Sequence, residues 1–358
     1  RLQHPPSLEE RITPTGHIIT RHGTPRLYQL ACTHLVAPQL YAALSAVRRL
    51  DQVPHEVVTA LAELHRLNAQ RNGRLRRVLS DTIGILNAVG IEPLLLKGSI
   101  ALLPDQYPLA ESRMMSDLDM ALHNAEAESA EAVLRAAGYD HHPDLEACNP
   151  ASFQAHHHLV PLFHPDVDGY VELHRSVLSS RLPAESLPLA SMRAAAQRHD
   201  WQGLRLWVPS LEHRLLHNAL HHQAQNAAFR HDHRSLRQLL EFAQLRSLPG
   251  AEAIDWPRRL AELDRIGLGE AVRGYLLGNE WLFGQALPAG VTPGLGARWA
   301  EYRFWLKVEY PVLAPLHDYA LRLVNLPKRL MTPSWYPAKA RYLYRRWRLS
   351  RVRHSPNG

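Results

Sequence analysis

The constraint that most limits the fold is a pair of carboxylates inside an apolar run. Arg113-Met114-Met115-Ser116-Asp117-Leu118-Asp119-Met120 follows Leu95-Leu96-Lys97-Gly98-Ser99 after a short gap. On a strand, residues i and i+2 share a face. Asp117 and Asp119 therefore stand side by side, with Leu118 and Met120 turned toward a core. Adjacent carboxylates repel and raise each other's pKa unless a cation lies between them. A hard divalent ion such as Mg2+ takes oxygen ligands and keeps part of its shell for substrate phosphates. The Gly98-Ser99 turn just after an apolar strand offers close backbone N–H groups to such phosphates.

Asp-x-Asp alone is a modest signal, common on solvated strand faces. Three further features add to it. Gly98-Ser99 lies where a phosphate turn belongs, Lys97 and Arg113 bring positive charge, and Glu172 supplies a third acid on another expected strand, with His174 on its same face. Three acids from two strands can hold two metal ions about 3.5–4 Å apart, the arrangement of phosphoryl and nucleotidyl transfer. Lys97 and Arg113 read as phosphate contacts; the alternative for Arg113 is a pair with Asp117 or Asp119 that holds the strand edge. His174 is a partner of the acids, an acceptor-positioning group or a packed histidine.

Around this block the pattern is α+β. Helical periodicity runs from about Leu27 to Val89, in stretches marked by Leu35–Val47, Val57–Leu67 and Leu75–Val89, with Gly90 as a C-terminal cap. Glu92–Leu96 and Ser116–His123 read as strands, Ala125–Ala137 as a helix, and His157–Phe163 with Gly169–His174 as a hairpin. Beyond residue 183 the chain reads as mostly helical to 325, with Ser210 as the N-cap of one helix. The expected organisation is an N-terminal helical region at 1–89, a catalytic core at 90–182, a helical domain at 183–325 and a basic aromatic tail at 326–358.

The segment Lys97-Gly98-Ser99…Tyr107-Pro108…Arg113-x-x-Ser116-Asp117-Leu118-Asp119, followed by His158-Leu159-x-Pro161-Leu162 and Val171-Glu172-Leu173-His174, resembles the uncharacterised bacterial nucleotidyltransferase family of the polymerase-β-like superfamily. The resemblance runs from the N-terminal helices to about residue 290. It implies a minimal nucleotidyltransferase core, a small mixed sheet with helices packed on it, flanked here by helical regions. It also implies that Asp117, Asp119 and Glu172 bind Mg2+ or Mn2+, two ions in all, and that Gly98 and Ser99 hold the triphosphate of an NTP. The gap between Ser99 and Asp117 is longer than in many superfamily members but fits this branch, and the third acid is Glu where Asp is commoner. The reaction implied is transfer of an NMP to an acceptor hydroxyl or phosphate, a small molecule or a peptide precursor. The rivals are a non-catalytic binder on the same fold and a toxin-like nucleotidylation of RNA or protein.

Composition adds a little. Lys+Arg number 41 against 34 Asp+Glu, a net +7, and only four of the bases are lysine. The segment 328–353 carries nine of these cations and no acid, interleaved with Trp335, Tyr336, Tyr342, Tyr344 and Trp347. That mixture suits an anionic partner: nucleic acid, a membrane surface or an acidic protein. His213, His217 and His221 fall at i, i+4 and i+8, but no Glu follows His213 and no Cys is near, so zinc is not expected. His217 or His221 can line the acceptor side of a cleft. Cys32 and Cys148 sit in no metal or redox spacing, which fits a reduced cytoplasmic protein, and no apolar run reaches a membrane span.

Overall fold

The computed structural model describes residues 23–107, 110–141, 156–164 and 169–310, with Val312 and Tyr319. The basic segment 328–353, the hairpin turn at 165–168 and Cys148 lie outside the described residues. Two compact units divide the chain, Arg1–Glu301 and Tyr302–Gly358, and every element that builds the site belongs to the first.

Helices α1 (Thr24–Thr33) and α2 (Ala37–Ala46) pack with the start of α3 (His55–Ala88) around a small apolar cluster of Ala31, Ala37, Leu44, Val53 and Leu61. The two amphipathic stretches expected at Val57–Leu67 and Leu75–Val89 are thus one helix of 34 residues. No Pro interrupts 55–88, and Gly73, where an added Cβ would meet open space, costs only about 1 kcal/mol against Ala. Past α3, Gly90 takes the left-handed conformation (φ 82°) and Ile91 N–H bonds back to Leu86 C=O at 3.0 Å. The second half of α3 buries Leu75, Leu79, Ile83 and Leu86 in the main core.

The sheet follows. β1 (Leu94–Leu95) leads into the one-turn helix α4 (Lys97–Ala101), and β2 (Asp117–Ala121) into α5 (Asn124–Ala136). β3 (Asp140–His141), β4 (Leu162–Phe163) and β5 (Tyr170–His174) come next, then the short helix α6 (Leu189–Ala194). β6 (Gln197–Trp201) and β7 (Leu204–Val208) close the set. Among the described residues the order is β3-β4-β5-β2-β1-β7-β6. β2 is antiparallel to β1 but parallel to β5, and β7 is parallel to β1, so the sheet is mixed as expected of the fold.

The β6–β7 hairpin interrupts the mostly helical run expected after residue 183 and adds two strands to the sheet. Trp201, Leu206 and Val208 are buried while Gln197, Arg198, Asp200 and Arg205 are exposed, an alternation short enough to escape a helical reading. Its two-residue turn, Gln202-Gly203, has positive φ at both positions (57° and 82°), as twisted hairpins require.

Helices resume with α7 (Leu211–Leu220), where the Ser210 hydroxyl accepts from His213 N–H as expected. A π-helical turn (His221–Gln225) extends it, followed by α8 (Ala228–His231), α9 (Leu236–Arg246), α10 (Trp256–Asp264) and α11 (Gly269–Phe283). Leu215, Leu216, Leu239, Phe242 and Tyr275 join the same core as Leu118 and Met120 of β2, so these helices and the sheet form one packed body. No helix of the described residues is long and apolar enough to cross a membrane.

Candidate active site

The acids come together through strand register. β2 pairs in parallel with β5 so that Asp119 lies opposite Glu172 and Ala121 opposite His174. Leu118 and Met120 are fully buried on the other face, each contributing about 2 kcal/mol of apolar burial. Asp117, Asp119 and Glu172 all line one cavity of about 310 Å3.

Asp119 is the electrostatic centre. One of its oxygens, Oδ1, accepts from Lys97 Nζ at 2.6 Å and from His174 Nε2 at 2.7 Å. Burial works to raise the Asp119 pKa, but Lys97 and His174 outweigh it and hold the carboxyl well below the usual range. Glu172 Oε2 lies 3.6 Å from His174 Nε2. Burial raises Glu172 too, but His174 and His158 together outweigh it, leaving the group lowered. Burial lowers His174, but Asp119 and Glu172 hold it raised overall. Asp117 goes the other way: burial, then the like charges of Asp119 and Glu172, raise its pKa against Lys97 and the Ser116 hydroxyl.

The residues fit a divalent cation. Asp119, Glu172 and His174 each offer a ligand atom, all within 4.8 Å of one another. Two carboxylate oxygens and an imidazole nitrogen suit Mg2+ or Mn2+, with imidazole tilting the set toward the latter. Lys97 competes for Asp119 with any such ion.

The other expected residues divide. Lys97 and Gly98 line the cavity. Instead of an open turn, Gly98-Ser99 occupies the first turn of α4, entered by Lys97 at positive φ (45°). Ser99 is fully buried, its N–H bonds to Leu96 C=O at 3.1 Å, and its hydroxyl has no partner among the described residues. Arg113 also lines the cavity, but it pairs with Glu241 of α9 (Nη2–Oε2 2.9 Å) and not with Asp117 or Asp119. The loop before β2 is pinned from α3: Asn68 and Asn72 Nδ2 both donate to Arg113 C=O, at 3.1 and 2.9 Å. A Cβ added at Gly98 would overlap the Arg113 guanidinium, so glycine there admits the arginine.

Helices α7 and α9 supply the opposite wall with residues that strand-based reasoning did not assign. Arg214 donates to Gln106 C=O at 2.7 Å and Arg237 to Met114 C=O at 3.1 Å; neither meets a carboxylate among the described residues. Both are half-buried, and burial lowers both pKa values. His217 and His221 face the same cavity, as their i, i+4 spacing hinted, with His157 and His158 from the approach to β4. Burial, then neighbouring positive groups, push His157 and His221 down to about 3, so these two are neutral near pH 7.

A family model described as an uncharacterised nucleotidyltransferase matches residues 22–284. No curated protein and no solved structure matches the chain.

Proposed function

The chain belongs to the uncharacterised nucleotidyltransferase family, and on that premise we propose that it moves a nucleoside monophosphate from an NTP to an acceptor hydroxyl or phosphate and releases pyrophosphate. The observation that carries the proposal is the parallel register of β2 and β5, which sets Asp119 against Glu172 beside Asp117 in a cavity rimmed by cations.

In this reading Asp117, Asp119 and Glu172 hold one or two divalent ions, Mg2+ or Mn2+, with His174 fixing Asp119. Bound there, the metal would polarise the α-phosphate and offset charge on the leaving pyrophosphate. The acceptor oxygen attacks the α-phosphorus, the bond to the pyrophosphate oxygen breaks, and the acceptor's proton passes to Glu172. Lys97, Arg214 and Arg237 steady the β- and γ-phosphates; an anion would offset the cost of half-burying the two guanidinium groups. Arg113, already paired with Glu241, keeps the wall in shape and reaches the phosphates only secondarily.

One observation favours a second reading. Lys97 already neutralises Asp119 without an ion, which suits a protein that binds nucleotide and does not turn it over. Incubation with each α-labelled NTP, Mg2+ or Mn2+, and cell extract separates the two. Pyrophosphate release with label on an acceptor, lost in Asp117→Ala and Asp119→Ala, supports transfer. NTP binding with no pyrophosphate release supports the second reading. Label on the protein itself is scored in the same gel.

A further inference from the structure

A second cavity, of about 890 Å3, adjoins the first, and His157 and Gln225 line both. Between them the two side chains form a narrow rim: Gln225 Nε2 lies 3.4 Å from His157 Nε2, while Gln225 Oε1 accepts from Ser179 N–H at 2.9 Å. Gln225 ends the π-helical turn His221–Gln225. Single π turns inside α-helices are frequent at functional sites, because the wider turn re-aims side chains. Here His221 faces the acid-lined cavity, Gln223 the second one and Gln225 both.

Two features of the second cavity point to a ligand. Gln223 is 1% exposed, and its Oε1 and Nε2 both lack a hydrogen-bond partner among the described residues. A buried primary amide with neither half satisfied is costly, and a ligand offering one donor and one acceptor removes that cost. The wall also carries Arg181 and Arg230, exposed and without a carboxylate partner, and none of its described residues is Asp or Glu. A neutral base has no use for two cations; an anionic group does.

We propose that this second cavity is the acceptor site, and that the acceptor is a small anionic molecule. Its carboxylate or phosphate pairs with Arg181 and Arg230, and a hydrogen-bonding group next to it meets Gln223. Its nucleophilic oxygen reaches past the His157–Gln225 rim toward the acids. This rests on the nucleotidyl-transfer reading: the acceptor oxygen bonds to the α-phosphorus, pyrophosphate leaves, and the proton goes to Glu172.

The test uses a deproteinised metabolite extract split on an anion-exchange resin at neutral pH. Each half is incubated with full-length protein, Mn2+ and the four α-labelled NTPs. A labelled small product forms only with the retained, anionic half. In Arg181→Gln/Arg230→Gln, whose two positions are exposed and whose circular dichroism should match the parent, half-maximal labelling needs at least tenfold more of that half. Gln223→Leu shows a similar shift. Alkaline phosphatase treatment of the extract abolishes the product if the anion is a phosphomonoester and spares it if it is a carboxylate. Labelled product from the flow-through, label confined to protein, or an unshifted double variant overturns the acceptor site while leaving nucleotidyl transfer standing. Pyrophosphate release from no NTP in any half overturns the transfer reading and this inference with it.

Discussion

Lys97 Nζ stands 2.6 Å from Asp119 Oδ1, the oxygen that also accepts from His174 Nε2 at 2.7 Å. The ion pair crosses from the start of α4 to the middle of β2 and ties the phosphate-side bend to the acid strand. Asp119 is almost fully buried, so it depends on these two donors for its charge.

Lys97→Met leaves Asp119 with a single donor. Removing one member of a fully buried pair costs about 3–5 kcal/mol. Lys97 is 24% exposed, which lowers the expected loss to about 2 kcal/mol in metal-free urea unfolding. Saturating Mn2+ should recover more stability in the variant than it adds to the parent, since the ion supplies the missing charge. Equal metal-free stability would mean that Asp119 does not rely on Lys97.

Asp117→Asn separates folding from chemistry. Burial and two neighbouring acids raise the pKa of Asp117, so the amide relieves repulsion and metal-free stability should hold or rise slightly. Pyrophosphate release should fall by about 10^3, the loss expected when metal stabilisation of the transition state is removed. Parent-like turnover would take Asp117 out of the catalytic set.

Gly98→Ala puts a methyl group where the Arg113 guanidinium lies. The arginine must move, and its buried pair with Glu241 weakens. A loss of about 2–3 kcal/mol is expected, below the full cost of breaking such a pair because the arginine's end can shift. In an Arg113→Met/Glu241→Met background the same change should cost under about 1 kcal/mol, because the clash and the pair are both gone. Additive costs in the double-mutant cycle would place the penalty elsewhere.

His222 sets an acid limit on stability. Ser235 N–H donates to His222 Nε2 at 2.9 Å, which requires that nitrogen to be unprotonated. Burial, then Arg234 and His233, push its pKa down to about 3. An unfolded histidine titrates near 6.5, so between that value and about 3 the unfolded chain takes up a proton that the folded chain refuses. Stability therefore falls on acidification across this window, by at most about 1.4 kcal/mol per pH unit from this residue. His222→Gln, which can still accept from Ser235, should flatten the urea midpoint against pH between about 6 and 4.5. An unaltered slope would assign the acid sensitivity to other groups.

The candidate acids were legible because their geometry is local. A two-residue period puts Asp117 and Asp119 on one face of their strand, and Glu172 and His174 on one face of theirs, whatever the rest of the chain does. The Ser210 cap and the Gly90 stop were legible for the same reason. Arg113 was not: its partner Glu241 lies 128 residues away, and no pattern near either residue announces the pair. The β6–β7 hairpin was readable in principle from Gln202-Gly203 and the alternation around it, but two five-residue strands give a weak period against a helical background.

The sequence by itself determined which side chains could do the chemistry and on which face of its own element each would stand, because backbone period and sterics act within a few residues. Tertiary packing decided the rest. It chose the parallel register that sets Asp119 against Glu172, swung Arg214, His217 and Arg237 over the sheet, and aimed one π turn at two cavities. Those choices follow from how distant apolar surfaces fit together to exclude water, a property of the whole chain that no short stretch of it contains.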